Sequence, residues 1–309
     1  MKRVLVPLDG SKAAESVIPE AIRLAGHQGE LILMHDVARI EDESSPDDSP
    51  DYRAEQESER YLAQLAAKVR QVGARVRTET FVWENPASAI DEAARMFEVD
   101  FIACHTQARS GLRRVLRPSI AWEVLAHSPV PVLLQRDREV ATPTASFEAD
   151  ARLLVTLDGS PLAELALPVA ESLSAAWNAE ILLVRVVLSM KKPEEWDEVQ
   201  TRYLTEEMRA AETYLTEITG RLERPAQALV IPGPVVEVLG QIAVGRGITH
   251  VVMASHGRTG LARATLGSIA DEVIHRISLP VIIIPAWRRA KVTAEAKAAD
   301  VREPEMVFA

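Results

Sequence analysis

The sequence predicts an α/β protein of two tandem doubly wound domains, each a five-stranded parallel sheet with helices on both faces. Two observations carry that prediction. The first is an internal repeat: Leu5-Val6-Pro7-Leu8-Asp9-Gly10-Ser11 recurs as Leu154-Val155-Thr156-Leu157-Asp158-Gly159-Ser160, six of seven identical at an offset of 149. The same offset lays Arg109–Val124 on Arg258–Val273 with nine of sixteen identical, and Pro131-Val132 on Pro280-Val281, so the register holds from first strand to last. The second is the alternation of short β-branched runs with longer stretches of helical period, which marks parallel strands joined by crossover helices.

In the second copy, strands are expected at Leu153–Leu157, Ile181–Val187, Ala228–Ile231, His250–Ala254 and Pro280–Pro285. Their runs are apolar without alternation, as suits strands covered on both faces. Between the second and third, Leu204, Met208, Ala211, Leu215 and Ile218 draw one helical stripe, matched in the first copy by Leu62, Leu65, Val69 and Val72. Domain one is therefore expected at 1–138, a polar linker at 139–150, domain two at 151–287, and an Ala- and charge-rich tail without an apolar stripe at 288–309. The segment 41–51, EDESSPDDSPD, holds six acidic residues and two prolines and is expected to be extended and solvated.

At 309 residues, 47% hydrophobic and 26% charged, the chain has the composition of a soluble globular protein. The formal net charge of −10 argues against nucleic acid or anionic lipid as partner and for a small molecule or a protein. No apolar stretch reaches the roughly 18 residues of a membrane span. Cys104, the one cysteine, excludes an intrachain disulfide and a multi-cysteine zinc site; nothing at the N-terminus reads as a cleavable signal, so a cytoplasmic, reduced setting is expected.

Ligands of such sheets bind beyond the carboxyl ends of the strands. There, Asp158-Gly159-Ser160 reads equally as an acceptor for sugar hydroxyls and as a helix cap. After the fourth strand come Ala254-Ser255-His256-Gly257-Arg258-Thr259-Gly260, then Gly267-Ser268 and a helical stretch from Ile269 to Ile277. Glycines let the backbone approach a ligand, and the free N–H groups and dipole of a helix start favour an anion, with phosphate the natural occupant. By spacing alone, a glycine-rich turn with a serine cap is the other reading.

Both halves resemble the universal stress protein domain, a nucleotide-binding alpha hydrolase-like fold. Its nucleotide-binding members carry G-x2-G-x9-G-(S/T) after the fourth strand and an Asp after the first. The pattern falls on Ala254, Gly257, Gly267 and Ser268, three of four matching, and the resemblance covers nearly the whole chain twice, including Pro86/Ile90 and Pro234/Val238. It implies an adenine nucleotide, ATP with Mg2+, in the second domain. The adenine would lie against Val186 and Thr156, Asp158 would meet the ribose, and Gly257, Gly267, Ser268 and the Ile269 amide would hold the triphosphate, with Met253 and His256 lining the site. Ala254 adds a methyl where the family has glycine, and Thr156 stands where the first domain has Pro7. In the first domain His105, Ala108 and Pro118 replace the glycines, Gln107 replaces His256 and Asp36 replaces Val186. Pro118 lacks an N–H and its ring fills phosphate space. The first domain is therefore not expected to bind ATP in the family manner.

No Walker A motif, G-x-S-x-G elbow or H-E-x-x-H helix is present, and His250 and His256 are isolated. A slow ATPase would need Mg2+ at the γ-phosphate, steadied by His256 or Arg258, yet no general base is evident. The expectation is a regulatory nucleotide sensor in stress response, against the competing class of an interaction scaffold with empty sites and an unidentified protein partner. The last strands, Val130–Leu134 and Leu279–Ile284, offer apolar edges. The resemblance implies that such strands pair antiparallel, here within one chain, so that a homodimer would need another surface.

Overall fold

The protein is described by a computed structural model over residues 2–38, 50–83, 85–106, 120–136, 151–191, 193–255 and 267–285. The first half opens with β1 (Arg3–Leu8), then α1 (Lys12–Glu15), whose start is capped by the Ser11 hydroxyl accepting from the Ala14 N–H at 3.1 Å. There follow α2 (Ile18–Ala25), β2 (Glu30–Ala38), α3 (Pro50–Gln71), β3 (Arg75–Trp83), α4 (Pro86–Met96), β4 (Phe101–Thr106), α5 (Ile120–His127) and β5 (Val132–Arg136). The second half repeats the order: β6 (Arg152–Thr156), α6 (Ala166–Trp177), β7 (Glu180–Leu188), α7 (Glu198–Arg221), β8 (Ala226–Gly233), α8 (Val235–Gly245), β9 (His250–Ala254), α9 (Ser268–Arg276) and β10 (Val281–Ile284). A capping box of Asp197 and Gln200 starts α7.

Each half is a doubly wound α/β unit with parallel strands, and the ten strands form one sheet in the order β3-β2-β1-β4-β5-β10-β9-β6-β7-β8. The halves join where β10 runs antiparallel to β5, Val281 opposite Leu134 and Ile283 opposite Val132. One face carries Leu5, Ile32, Met34, Leu154, Leu182, Val251 and Met253 against α4, α5, α8 and α9. The other carries Val4, Val6, Leu31, Leu153, Val155 and Leu183 against α1, α2, α3, α6 and α7. Both layers span both halves, so burial on each face crosses the junction.

Several expected boundaries move for local reasons. Pro50 and Asp51, expected in an extended segment, begin α3, because proline is pre-set for a first helical turn and an acidic residue suits the helix N-terminus. Residues 41–49 of the acidic stretch, the linker at 139–150 and the tail at 288–309 lie outside the described residues. Val72 falls beyond α3 and is exposed rather than part of the stripe. Pro280 and Pro285 flank β10 instead of joining it, as residues without a ladder donor should. Pro86 opens α4 and Pro234 precedes α8, so the shared proline marks a helix start.

The junction also carries a polar contact absent from the repeat. Glu20 on α2 reaches His250 on β9, Oε2 to Nε2 at 3.0 Å, with His250 buried beneath the Trp177 ring at a centroid distance of 4.8 Å. The Trp177 indole N–H donates to the Arg23 carbonyl at 2.9 Å, and the Arg23 guanidinium lies over that ring. On the opposite face Trp122 stacks on His275 at 5.7 Å, and the Arg136 side chain donates to the His275 carbonyl. The β4 counterpart of His250 is Phe101, since Val4 pairs with Phe101 as Leu153 pairs with His250.

Two outcomes are expected in chemical denaturation. His250→Phe removes a buried hydrogen bond to a carboxylate and should cost about 2 kcal/mol, whereas His250→Phe with Glu20→Val should recover most of it; equal losses would show that the pair is uncoupled. Asp91 on α4 sits among apolar residues at 7% exposure, where the repeat has Leu239. Burial raises its pKa to about 6, against the pull of Arg95 and His127. A carboxyl with a raised folded pKa favours folding at acid pH and penalises it as pH climbs through that value. Asp91→Leu should therefore stabilise the protein at pH 7 and lose that advantage as pH falls toward 4.

Candidate functional site

The candidate site lies at the carboxyl ends of β6 and β9, beside the stretch of β7 that runs on past them to Leu188. Val186 and Met253 belong to the layer covered by α8 and α9, and Thr156 shares that side by alternation from Leu154. The chain leaves β6 at Leu157 and bends at Asp158, whose Oδ1 accepts the Ser160 N–H at 2.9 Å. Ser160 in turn accepts from the Ala163 N–H at 3.1 Å, so the Asp-Gly-Ser run turns the chain toward the short 3-10 turn at Ala163–Leu165, leaving Asp158 half-buried at the strand end. Gly159 takes φ +86°, a conformation that L side chains rarely adopt.

At β9, Ala254 is buried with its methyl on the side of Val252. The Ser255 N–H donates to the Ile284 carbonyl at 2.9 Å, and the Ser255 carbonyl accepts the Gly267 N–H at 2.8 Å. These bonds fasten the start of α9 to the end of β9. Gly267 is the N-cap and offers no side-chain cap, so the expected serine cap is not formed: Ser268 is the first helical residue and is exposed, as is Ile269. The Gly267 amide is spent on Ser255, which leaves the amides of the first helical turn facing outward from the helix end. His256 and Gly257 lie outside the described residues, as do Gln107, Ala108 and Pro118 in the first half.

Sequence reasoning missed Arg185. It is the one charged residue in the apolar run of β7. Its guanidinium lies over the Tyr214 ring at 5.2 Å and so close to Gly159 that a Cβ there would be 3.0 Å from Nη1. The Tyr214 hydroxyl donates to Glu164 at 3.2 Å; burial first, then Glu164, pushes its pKa well above the usual phenol value. The first half has the same frame with different chemistry: Tyr61 donates to Glu15, and His35 replaces Arg185, with Nδ1 2.9 Å from the Ser58 hydroxyl. An arginine interrupting an apolar strand was the available signal.

The first-half counterparts of the predicted residues enclose a cavity of about 230 Å³, lined among others by Pro7, Asp9, Asp36, Cys104, His105 and Ile120. These correspond to Thr156, Asp158, Val186, Met253, Ala254 and Ile269, as the matching strand registers show. Burial opposes ionisation of Asp9, but hydrogen bonds from Ser11 and the nearby His105 outweigh it and lower its pKa. Burial pushes the Cys104 thiol up to about 12, so it is no nucleophile. No group of three or more metal-ligating side chains occurs among the described residues.

Residues 1–136 and 151–285 each match the Universal stress protein family. The chain belongs to that family. It is 26% identical over 212 residues to Universal stress protein Rv2005c of Mycobacterium tuberculosis, an alignment covering 65% of this chain and 66% of the relative. It is 26% identical over 154 residues to Universal stress protein MJ0577 of Methanocaldococcus jannaschii, covering 43% of this chain and 93% of the relative. Among solved structures, a universal stress protein from Archaeoglobus fulgidus superposes with a TM-score of 0.62 at 20% identity, covering 92% of this chain and 96% of that one. Protein PA1789 of Pseudomonas aeruginosa superposes with 0.64 at 16%, covering 96% and 98%. Both share the fold of this universal stress protein.

Because Gly159 holds a left-handed conformation, Gly159→Ala should cost about 1 kcal/mol in thermal or denaturant unfolding, and Gly159→Asn less. Equal stability of Gly159→Ala and wild type would show that the turn relaxes to negative φ.

Proposed function

We propose that the second domain binds an adenine nucleotide, ATP with Mg2+, and that the protein acts as a regulatory nucleotide sensor in stress response rather than as an enzyme. The observation that carries this reading is the fastening of α9 to β9 through Gly267 and Ser255. It holds the start of α9 at the end of β9, the strand next to β6 and its Asp158, with Val186 and Met253 as an apolar platform and Thr156 beside them. A base on the platform, a ribose at Asp158 and phosphates at Ser268 and the Ile269 amide follow from that order of chemistry. Gly267 contributes its lack of a side chain, its amide being already engaged. His256 and Gly257 complete the proposed site by resemblance alone.

Ala254 in place of glycine favours a second reading, an interaction scaffold of the same fold with no nucleotide. A slow ATPase would need a general base, and Asp158 is committed to its turn. No helix among the described residues is long and apolar enough to cross a membrane. The proposed setting is the cytoplasm, with any homodimer built on a surface other than the paired last strands.

Calorimetric titration of ATP with Mg2+ tests the reading. One site per chain is expected. Ser268→Asp should weaken it about tenfold or more through charge repulsion at the phosphates, while adding a helix-favouring charge that preserves the fold. Gly267→Pro should abolish binding as well, with some stability lost because it deletes the bond to Ser255. Absence of binding to wild type would favour the scaffold.

A further inference from the structure

A groove of about 610 Å³ runs between α4 and α5 in the first half and shares no lining residue with the strand-end cavity. Ser88, Asp91, Glu92 and Arg95 line it from α4, Glu123 and His127 from α5. Arg95 is paired with Glu92 at 3.8 Å, and neither Asp91 nor Glu123 has an ion pair among the described residues. Asp91 is more than nine-tenths buried, and its Oδ1 is sealed without a hydrogen-bond partner. Burial opposes its charge more than Arg95 and His127, the cations nearest it, support that charge. A buried carboxylate in this condition is relieved by a cation brought to it. The matching stretch of α8, Leu239–Val244, carries no charged side chain, so the feature belongs to the first half alone.

We propose that the α4–α5 groove binds a small organic cation through one primary ammonium group, held by the carboxylates of Asp91 and Glu123 with the Ser88 hydroxyl beside them. Ser88 lies three residues before Asp91, on the same side of α4. A divalent metal needs several converging ligands, and no group of three metal-ligating side chains occurs among the described residues. A guanidinium is held best by both oxygens of one carboxylate, but Asp91 Oδ1 is closed to the surface, which leaves Oδ2 alone to meet a ligand. An ammonium is a compact charge whose three N–H donors each take a single oxygen. Arg95, one turn along α4, repels a second positive group and so favours a monoamine over a polyamine. This inference does not rest on nucleotide binding in either domain.

The experiment is titration of n-butylammonium into the full chain, followed by NMR, with N-butylguanidinium and tetramethylammonium as comparison cations. At pH 8 n-butylammonium should saturate one site and bind more tightly than either of the others. Asp91→Asn, nearly isosteric, should weaken it about tenfold or more by removing a hydrogen bond to a charged partner. Glu123→Gln, on the facing helix, should weaken it as well. Asp91 titrates at about 6 and the ammonium needs its ionised form, so wild-type binding should be about tenfold weaker at pH 5 than at pH 8. The titratable and charged groups around Asp91 are Glu92, Arg95, Glu123, His127 and Cys104. His127→Gln should keep most of that pH dependence, and Asp91→Asn should lose it. No saturable binding to wild type at pH 8, or binding that Asp91→Asn leaves unchanged in a variant that unfolds like wild type, would overturn the proposal. Equal or tighter binding of tetramethylammonium or N-butylguanidinium would overturn the assignment to an ammonium donor.

Discussion

The antiparallel pairing of β5 with β10 is the constraint on which the rest of the molecule depends. Each half ends in a strand that is buried on both faces, Leu133 and Leu134 in one and Ile282 and Ile283 in the other. Such a strand at an open edge would expose unpaired N–H and C=O groups together with apolar side chains. Joining the two edges within one chain removes both liabilities and makes one sheet of ten strands. It also brings α2 near α6 and α5 near α9, where the Glu20–His250 and Trp122–His275 contacts form.

Those contacts break the symmetry of the duplication. The apolar layers repeat nearly position for position, yet the junction places Glu20 and His250 where the other half has Val169 and Phe101. A hydrophobic layer tolerates exchange of one apolar side chain for another, whereas a buried carboxylate–imidazole contact requires both partners. The polar pair therefore fixes how the halves register against each other, while the aliphatic layers supply most of the burial. Asp91 is the opposite case: a carboxyl substituted into one copy of the layer without a hydrogen bond to its buried Oδ1.

Much of the fold was legible because both of its signals are local. Repeated Leu-Val-x-Leu-Asp-Gly-Ser runs and apolar strands can be read from neighbours in the chain. Helix starts at Pro50, Pro86 and Pro234 were less legible, because the same proline also terminates loops and turns. The Glu20–His250 contact could not be read at all, for its partners are 230 residues apart and meet only after the halves pair. At the site, the residue types on β6, β7 and β9 were legible from their strand ends. The bond from Gly267 to Ser255 was not, since it depends on where the α9 start comes to rest.

Arg185 and Asp36 show why the strand ends, rather than the layers, carry the differences between halves. In the layers between helices and sheet a charge must be desolvated, and Asp91 on α4 illustrates the resulting shift in its titration. At the carboxyl ends, hydroxyls, free amides and solvent are within reach, so β7 accepts Arg185 beside Tyr214 where β2 has His35, and β2 accepts Asp36 where β7 has Val186. The same backbone then places a valine at this strand end in one half and an aspartate in the other. Two copies of one frame can thus differ in the side chains at their strand ends without altering the ladder that holds them together, because the ladder is built of backbone N–H and C=O groups that Asp36 and Val186 offer alike.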